Sequence, residues 1–207
     1  MKPLLVGIAG ASCSGKTELA LGLARYLGQE ALGFELDHYY ADRSHLAEPE
    51  RSQFNFDHPQ ALDKKLLVRH VANLKLGQTI EQPRYSFMTH SRQQHKKTVA
   101  PRPVILVEGL FSLYWRDLRD LLDLKVYVDT PDEECFARRL RRDVEERGRT
   151  RESIEEQYAK TVRPMAKAYV RPSQEHADLK VSGCLPIEAS VQTVLAAILE
   201  LLREKAP

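Results

Sequence analysis

Gly10-Ala11-Ser12-Cys13-Ser14-Gly15-Lys16-Thr17 fits G-x-x-x-x-G-K-[ST], the spacing of a loop whose backbone N–H groups cradle phosphate oxygens. Gly10 and Gly15 allow φ values and close approaches that a Cβ would obstruct. Lys16 can reach the β- and γ-phosphates of a nucleotide, and the Thr17 hydroxyl can bind Mg²⁺. Two acids stand at the ends of apolar runs. Asp37 follows 31–36, where it can meet a phosphate or a hydroxyl, or simply cap a turn. Glu108 ends Val104–Glu108, an arrangement that can hold the water shell of a metal. A third group is basic: Arg138, Arg139, Arg141 and Arg142, then Arg147, Arg149 and Arg151 beyond Glu145-Glu146. These residues suit a solvated face of Glu/Arg pairs, an RNA-binding face, or a mobile lid that brings guanidiniums to a transferring phosphoryl group. Tyr85, Phe87, His90 and Arg92 lie close together. An aromatic next to a hydrogen-bonding His is either the edge of a binding pocket or half-buried packing.

Elements must place these residues. The run 4–8 reads as a buried strand and Lys16–Leu27 as a helix with apolar Leu19, Ala20, Leu23 and Leu27. The glycine loop therefore sits before a helix N-terminus, where dipole and free N–H groups point the same way. A second strand covers 31–36, and the polar 41–56, with Pro49, reads as a loop over the site. Asp57 suits an N-cap with Pro59 just inside, opening a helix to about Leu76 that Gly77 ends. Two short strands, 79–87 and Lys97–Val99, flank a polar loop at 88–96, an inserted hairpin at about 78–100. Val104–Glu108 is a strand, 112–122 a helix with Leu113, Leu118 and Leu121 inward, and Leu124–Asp129 a strand. Thr130-Pro131-Asp132-Glu133 reads as a capping box that starts a helix with Phe136, Leu140 and Val144 as its apolar stripe. Helix continues over 153–160, and Pro164 breaks or kinks it. A last strand, Leu179–Ser182, precedes a helix opened by Pro186 whose stripe of Ile187, Val191, Val194, Leu195, Ile198 and Leu202 is core packing. About five strands alternating with helices make an α/β fold, a P-loop αβα sandwich with a central parallel sheet, an inserted β-hairpin and an Arg-rich helical lid at about 132–165.

The chain of 207 residues fits one domain, 1–207. A net charge of +2 makes no case for nucleic acid as a partner. Cys13, Cys135 and Cys184 are far apart, without zinc spacing, and read as reduced thiols of a cytoplasmic protein. Neither a signal-like start nor a run of about 18 apolar residues appears, so no export and no membrane are expected. A regulatory GTPase would carry N-K-x-D, and Asn73-Leu74-Lys75-Leu76 lacks the acid.

Taken together, the motifs resemble the uridine-cytidine kinases within the uridine kinase and phosphoribulokinase group. The likeness runs over roughly 5–181 in that family's order. It begins with the glycine loop, then Asp37-His38-Tyr39-Tyr40 and Asn55-Phe56-Asp57-His58-Pro59. Next comes Pro83-Arg84-Tyr85-Ser86-Phe87-Met88-Thr89-His90-Ser91-Arg92, the most specific segment. Val107-Glu108-Gly109, Tyr127-Val128-Asp129-Thr130, Arg142-Asp143, Glu146-Arg147-Gly148-Arg149, Val162-Arg163-Pro164-Met165 and Ala177-Asp178 complete it. The resemblance implies phosphorylation of uridine and cytidine by ATP or GTP with Mg²⁺. It implies that Asp37 accepts the 5′-hydroxyl proton, with Thr17, Asp37 and Glu108 at the metal and Lys16 and Arg147 also acting in catalysis. Asp57, Arg139 and Gln157 would hold the ribose hydroxyls, and Tyr40, Tyr85, Phe87 and His90 would surround the pyrimidine. Arg142, Arg147 and Arg149 would grip the donor phosphates. A cytoplasmic homotetramer serving pyrimidine salvage is the family's usual form. One residue departs from the pattern: the family usually has Asp where this chain has Ser86, and alternation turns that position away from Tyr85 and Phe87.

Overall fold

The computed structural model describes residues 2–47, 50–51 and 54–205. Strand β1 (Leu4–Gly10) is buried along its whole length because it lies in the middle of a parallel sheet and packs on both faces. Helix α1 (Lys16–Leu27) follows, then β2 (Ala31–Glu35) and α2 (Lys64–Lys75). Strands β3 (Ile80–Gln82), β4 (Tyr85–Ser86), β5 (Ser91–Arg92) and β6 (Lys97–Val99) come next. The chain returns through β7 (Val104–Glu108), α3 (Arg116–Arg119) and β8 (Leu124–Asp129). Helices α4 (Asp132–Glu145), α5 (Arg151–Gln157) and α6 (Arg163–Met165) precede β9 (Leu179–Ser182) and α7 (Ile187–Glu204).

Among the described residues the central sheet has the order β2-β7-β1-β8-β9, and every pairing in it is parallel. Alternation divides the core into two layers. Leu4, Val6 and Ile8 meet Leu19 and Leu23 of α1 and Val191, Val194 and Ile198 of α7. Leu5 and Ala9 face Leu67, Val71 and Leu74 of α2 together with Phe111 and Leu113. Burying one such side chain contributes about 1.5–3 kcal/mol, so the sheet is a firm platform for the loops at its C-terminal edge. Its register puts Glu108 opposite both Ile8 and Glu35, so the glycine loop, Asp37 and Glu108 leave neighbouring strands at one edge. Ligands of open α/β sheets gather at that edge. No described helix is long and apolar enough to cross a membrane.

Several local expectations are corrected. Asp57 caps no helix: α2 starts seven residues later, where the Asp63 side chain accepts from the Leu66 N–H, and Pro59–Ala61 is a separate 3₁₀ turn. Between that turn and α2, Leu62 is extended and bridges Tyr40. The helix expected over 112–122 shortens to α3, because Trp115 is extended at φ −84°, ψ 129° and Arg119 donates instead to the carbonyls of Leu113 and Tyr114. No capping box forms at 130–133, since the Thr130 hydroxyl donates to the Ser14 carbonyl at 2.8 Å. Pro164 does not break its helix. Two π-helical stretches, Tyr158–Val162 and Ala166–Val170, flank it and absorb the missing donor. The hairpin divides into two ladders, β3 with β6 and β4 with β5. Pro49, assigned above to a loop across 41–56, lies outside the described residues.

Candidate active site

The loop from Ala11 to Ser14 turns between β1 and α1. Gly15 adopts φ +100°, a left-handed conformation open mainly to glycine, and directs the first N–H groups of α1 into the cleft. Gly10 is needed for proximity: a Cβ there would stand 2.8 Å from the Val128 carbonyl oxygen. Cys13 is also left-handed, at φ +63°, a conformation that a non-glycine residue holds at some cost.

Around this loop the acids gather. Lys16 Nζ lies 3.5 Å from Glu108 Oε1, and the Thr17 side chain hydrogen-bonds Glu108 as well. Asp37 occupies the 3₁₀ turn Leu36–Tyr39 directly after β2. Desolvation in the crowded cleft pushes its carboxyl above the usual carboxylate range, against the pull of Lys16. Burial raises Glu108 likewise, opposed by Lys16 and reinforced by Asp37. Two carboxylates and a hydroxyl suit Mg²⁺, which keeps much of its water and takes one or two protein carboxylates alongside substrate phosphates. The described residues hold no group of three or more His, Cys, Asp or Glu that could cage a metal by themselves.

Arg139 connects the loop to the next group. It donates to Ser12 Oγ at 3.0 Å and to Gln157 Oε1 at 3.1 Å, and it is buried. Asp57 lies within its electrostatic reach. Burial raises the Asp57 carboxyl, Arg139 opposes that, and the Thr161 hydroxyl donates to it at 3.5 Å. A narrow cleft lined by Ser12, Asp57, Leu110 and Val162 joins this corner to the loop.

Tyr40, Phe56, Tyr85, Phe87 and His90 form one aromatic cluster. The Tyr40 ring lies 5.1 Å from Tyr85 and 6.0 Å from Phe87, and His90 stacks on Phe56 at 4.9 Å and 21°. His90 turns the β4–β5 hairpin at φ +47°. The Tyr85 hydroxyl and His90 Nδ1 are buried without a hydrogen-bond partner among the described residues, and burial pushes the Tyr85 hydroxyl up to about 12. Such groups are costly unless a ligand satisfies them. Ser86 stays outside the cluster and accepts the Thr89 N–H, which tightens the turn.

The basic helix is oriented differently from its apolar stripe. In α4 the buried positions are Cys135, Arg139 and Asp143, and Val144 is exposed. Asp143 is fully buried amid arginines. Arg142 donates to Oδ1 from Nε and Nη2 at 2.9 and 2.8 Å, and Arg149 reaches Oδ2 at 3.2 Å. Arg147 and Arg139 lie 3.4 and 3.7 Å away. Burial pulls the Asp143 carboxyl upward, but Arg142, Arg139 and Arg147 hold it below the usual range. Arg149 also reaches Gln157 Oε1 at 2.7 Å.

Lys16, Thr17, Asp37 and Glu108 thus meet beside the glycine loop, Arg139 links Ser12 to Gln157 with Asp57 in reach, and Tyr40 connects Asp37 and Asp57 to the aromatic cluster. Sequence reasoning missed three others. Thr130 fastens the loop backbone, and Asp143 was signalled only by its place beside Arg142. A groove of about 180 Å³ beside Gly15, lined by Val128, Arg138, Val181, Leu185 and Ile187, comes from residues scattered over 60 positions and had no sequence signature.

Sheet order, glycine loop and strand-end acids together define a P-loop phosphotransferase. Residues 5–186 match the Phosphoribulokinase / Uridine kinase family, and the chain belongs to it. It is similar to a uridine kinase of Shewanella amazonensis, 47% identical over 183 residues that cover 86% of each chain. A uridine kinase of Chloroflexus aggregans is 42% identical over 205 residues, 99% of this chain and 98% of that one. Among solved structures, a putative fructose transport system kinase from Silicibacter sp. TM1040 matches with a TM-score of 0.72. It is 23% identical over 87% of this chain and 90% of that one, a likeness of fold alone.

Proposed function

We propose that this protein is a nucleoside kinase that transfers the γ-phosphoryl group of ATP to the 5′-hydroxyl of uridine and cytidine, yielding UMP and CMP. The observation that carries the reading is the aromatic cluster with two unsatisfied buried polar atoms, Tyr85 Oη and His90 Nδ1, gathered around Tyr40 directly after the turn that bears Asp37. A neutral imidazole offers a donor or an acceptor according to tautomer, and can meet the uracil carbonyl or the cytosine amine. Phe87 walls the hairpin side, where a second purine ring would have to fit.

In the reaction the 5′-oxygen attacks the γ-phosphorus, the bond to the β–γ bridging oxygen breaks, and the 5′-hydroxyl proton passes to the Asp37 carboxylate. Asp57, Arg139 and Gln157 hold the ribose hydroxyls and so aim the 5′-oxygen. Lys16 and the arginines Arg142, Arg147 and Arg149 stabilise the charge on the transferring group and the departing ADP. Thr17, Asp37 and Glu108 are the residues to hold Mg²⁺, which neutralises β- and γ-phosphate charge when bound. We assign the donor base, of ATP or GTP, to the groove beside Gly15, and read 132–165 as a lid over the phosphates. A cytoplasmic homotetramer of pyrimidine salvage, folded as one domain, completes the reading on the strength of the family likeness.

A coupled ADP-release assay over a nucleoside panel tests it. Uridine and cytidine should both turn over, and adenosine and guanosine should not; robust adenosine turnover would overturn the pyrimidine reading. His90→Tyr should change the uridine-to-cytidine ratio of kcat/KM, since sites that hydrogen-bond a substrate group discriminate by up to about 10⁴. An unchanged ratio would remove His90 from the base site.

A further inference from the structure

Arg92 belongs to no part of the chemistry above, yet it is among the most constrained side chains near the cleft. Its Nε donates to the Tyr40 carbonyl at 2.8 Å, and its Nη2 donates to the Tyr39 carbonyl at 3.3 Å and to Asp63 Oδ2 at 3.2 Å. Only 19% of the side chain is exposed. In the β4–β5 ladder Arg92 is the residue directly opposite Tyr85. A closed circuit results. Tyr85 pairs through the ladder with Arg92, the guanidinium holds the backbone of Tyr40, and the Tyr40 ring returns to the Tyr85 ring at 5.1 Å.

The anchored carbonyls matter for what lies just before them. Tyr39 ends the 3₁₀ turn that contains Asp37, and Tyr40 follows it. Asp63 fixes the same point from the other side. Its N–H donates to the Tyr39 carbonyl at 2.8 Å, and its carboxylate caps α2 through the Leu66 N–H. One guanidinium therefore ties together the base-reading hairpin, the turn bearing the catalytic base Asp37 and the N-terminus of a core helix. Lys cannot replace it, because an ammonium lacks the planar fork that serves two successive carbonyls and a carboxylate.

We infer that Arg92 is a positioning residue that sets the distance between the pyrimidine-binding hairpin and Asp37, coupling recognition of the base to attack by the 5′-oxygen. The inference rests on the nucleoside-kinase reading of the site. Misplacement by about 1 Å can cost about 10²-fold in rate, so a loosened hairpin acts on the acceptor and spares the donor.

The experiment measures kcat and KM for uridine and for ATP, together with ADP released per UMP formed, in wild type, Arg92→Lys, Arg92→Ala, Asp63→Asn and the double variant Arg92→Ala/Asp63→Asn. Arg92→Lys and Arg92→Ala should both lose about 10- to 100-fold in kcat/KM for uridine, while KM for ATP stays within about twofold. ADP released per UMP should rise above one, as water intercepts the phosphoryl group when the 5′-oxygen is misaligned. Asp63→Asn keeps the helix cap, should lose less, and should add little to Arg92→Ala because both act through one contact. If Arg92→Ala does not fold, Arg92→Lys carries the test. Unchanged uridine kinetics in Arg92→Lys with an active wild type would overturn this inference alone. Equal losses for uridine and ATP with one ADP per UMP would overturn it in favour of a merely structural role. A wild type that phosphorylates neither pyrimidine nucleoside would overturn the reading of the site, and the inference with it.

Discussion

Four carboxyl groups in the cleft answer to opposing forces. Asp37, Asp57 and Glu108 are raised above the ordinary range, each chiefly by burial, and Asp143 is lowered by its arginines despite burial. A raised folded-state value means that the folded chain holds the proton more tightly than the unfolded chain. The stability that this lends is complete at low pH and disappears as pH rises through the folded value, so at neutral pH the ionised Asp37 strains the fold. Asp37→Asn should therefore melt above wild type at neutral pH, with the difference closing as pH falls toward the ordinary carboxylate range. Its kcat should drop by about 10²–10⁴, the typical contribution of a general base, with ATP binding largely retained. Calorimetry and steady-state kinetics on one preparation check both statements; near wild-type kcat would remove Asp37 from the chemistry. The site also illustrates what a motif conveys. Lys16, Thr17 and Glu108 were legible because their spacing follows from local backbone geometry, whereas the burial that tunes them depends on the assembled sheet.

Helix α4 carries the next contrast. Reading its periodicity for apolar residues selects Phe136, Leu140 and Val144 as the inner face, but Cys135, Arg139 and Asp143 are the buried residues. Toward its C-terminus burial follows charge pairing: Arg139 and Asp143 are buried while Val144 is exposed, although Cys135 and Phe136, which meets Tyr158, still pack by hydropathy. Asp143 works as a template, and Asp143→Ala should cost about 1–3 kcal/mol by removing the carboxylate that buried Arg139 and partly exposed Arg142 share. Because the Asp143 value is lowered, that contribution is present above the ordinary carboxylate range and is lost as pH falls through the folded value. Urea melts at neutral and acid pH read the difference. The arginines should also differ from each other. Arg147 is 54% exposed and touches only the template among the described contacts, so Arg147→Ala should lower kcat with little change in Tm. Arg149 also holds Gln157 and Ser153, so Arg149→Ala should lower both. A Tm loss for Arg147→Ala with unchanged turnover would make it structural. Sequence misled in the same way at Asp57 and Thr130. Both have the chemistry of a helix cap, and both were claimed by partners distant in the chain, the Thr161 hydroxyl and the Ser14 carbonyl.

Across the whole molecule the alternation of strands and helices was legible because buried parallel strands read as short apolar runs separated by amphipathic helices, each a local signal. The pairing of β1 with both β7 and β8, and the split of the hairpin into two ladders, depend on contacts between distant segments, which no window of sequence contains. The arginine template has one further consequence, for the rate of encounter with the donor. Four guanidiniums share the Asp143 carboxylate, and even with Glu146 near Arg142 the corner concentrates positive charge in a chain whose net charge is +2. A chain of weak net charge therefore carries a concentrated local field at its arginines, able to draw in a polyphosphate. At physiological ionic strength that field fades over about 8 Å. The association rate of ATP followed by stopped flow should fall steeply between low and physiological salt, and Arg147→Ala should flatten the slope. A rate independent of salt would confine the arginines to contact alone.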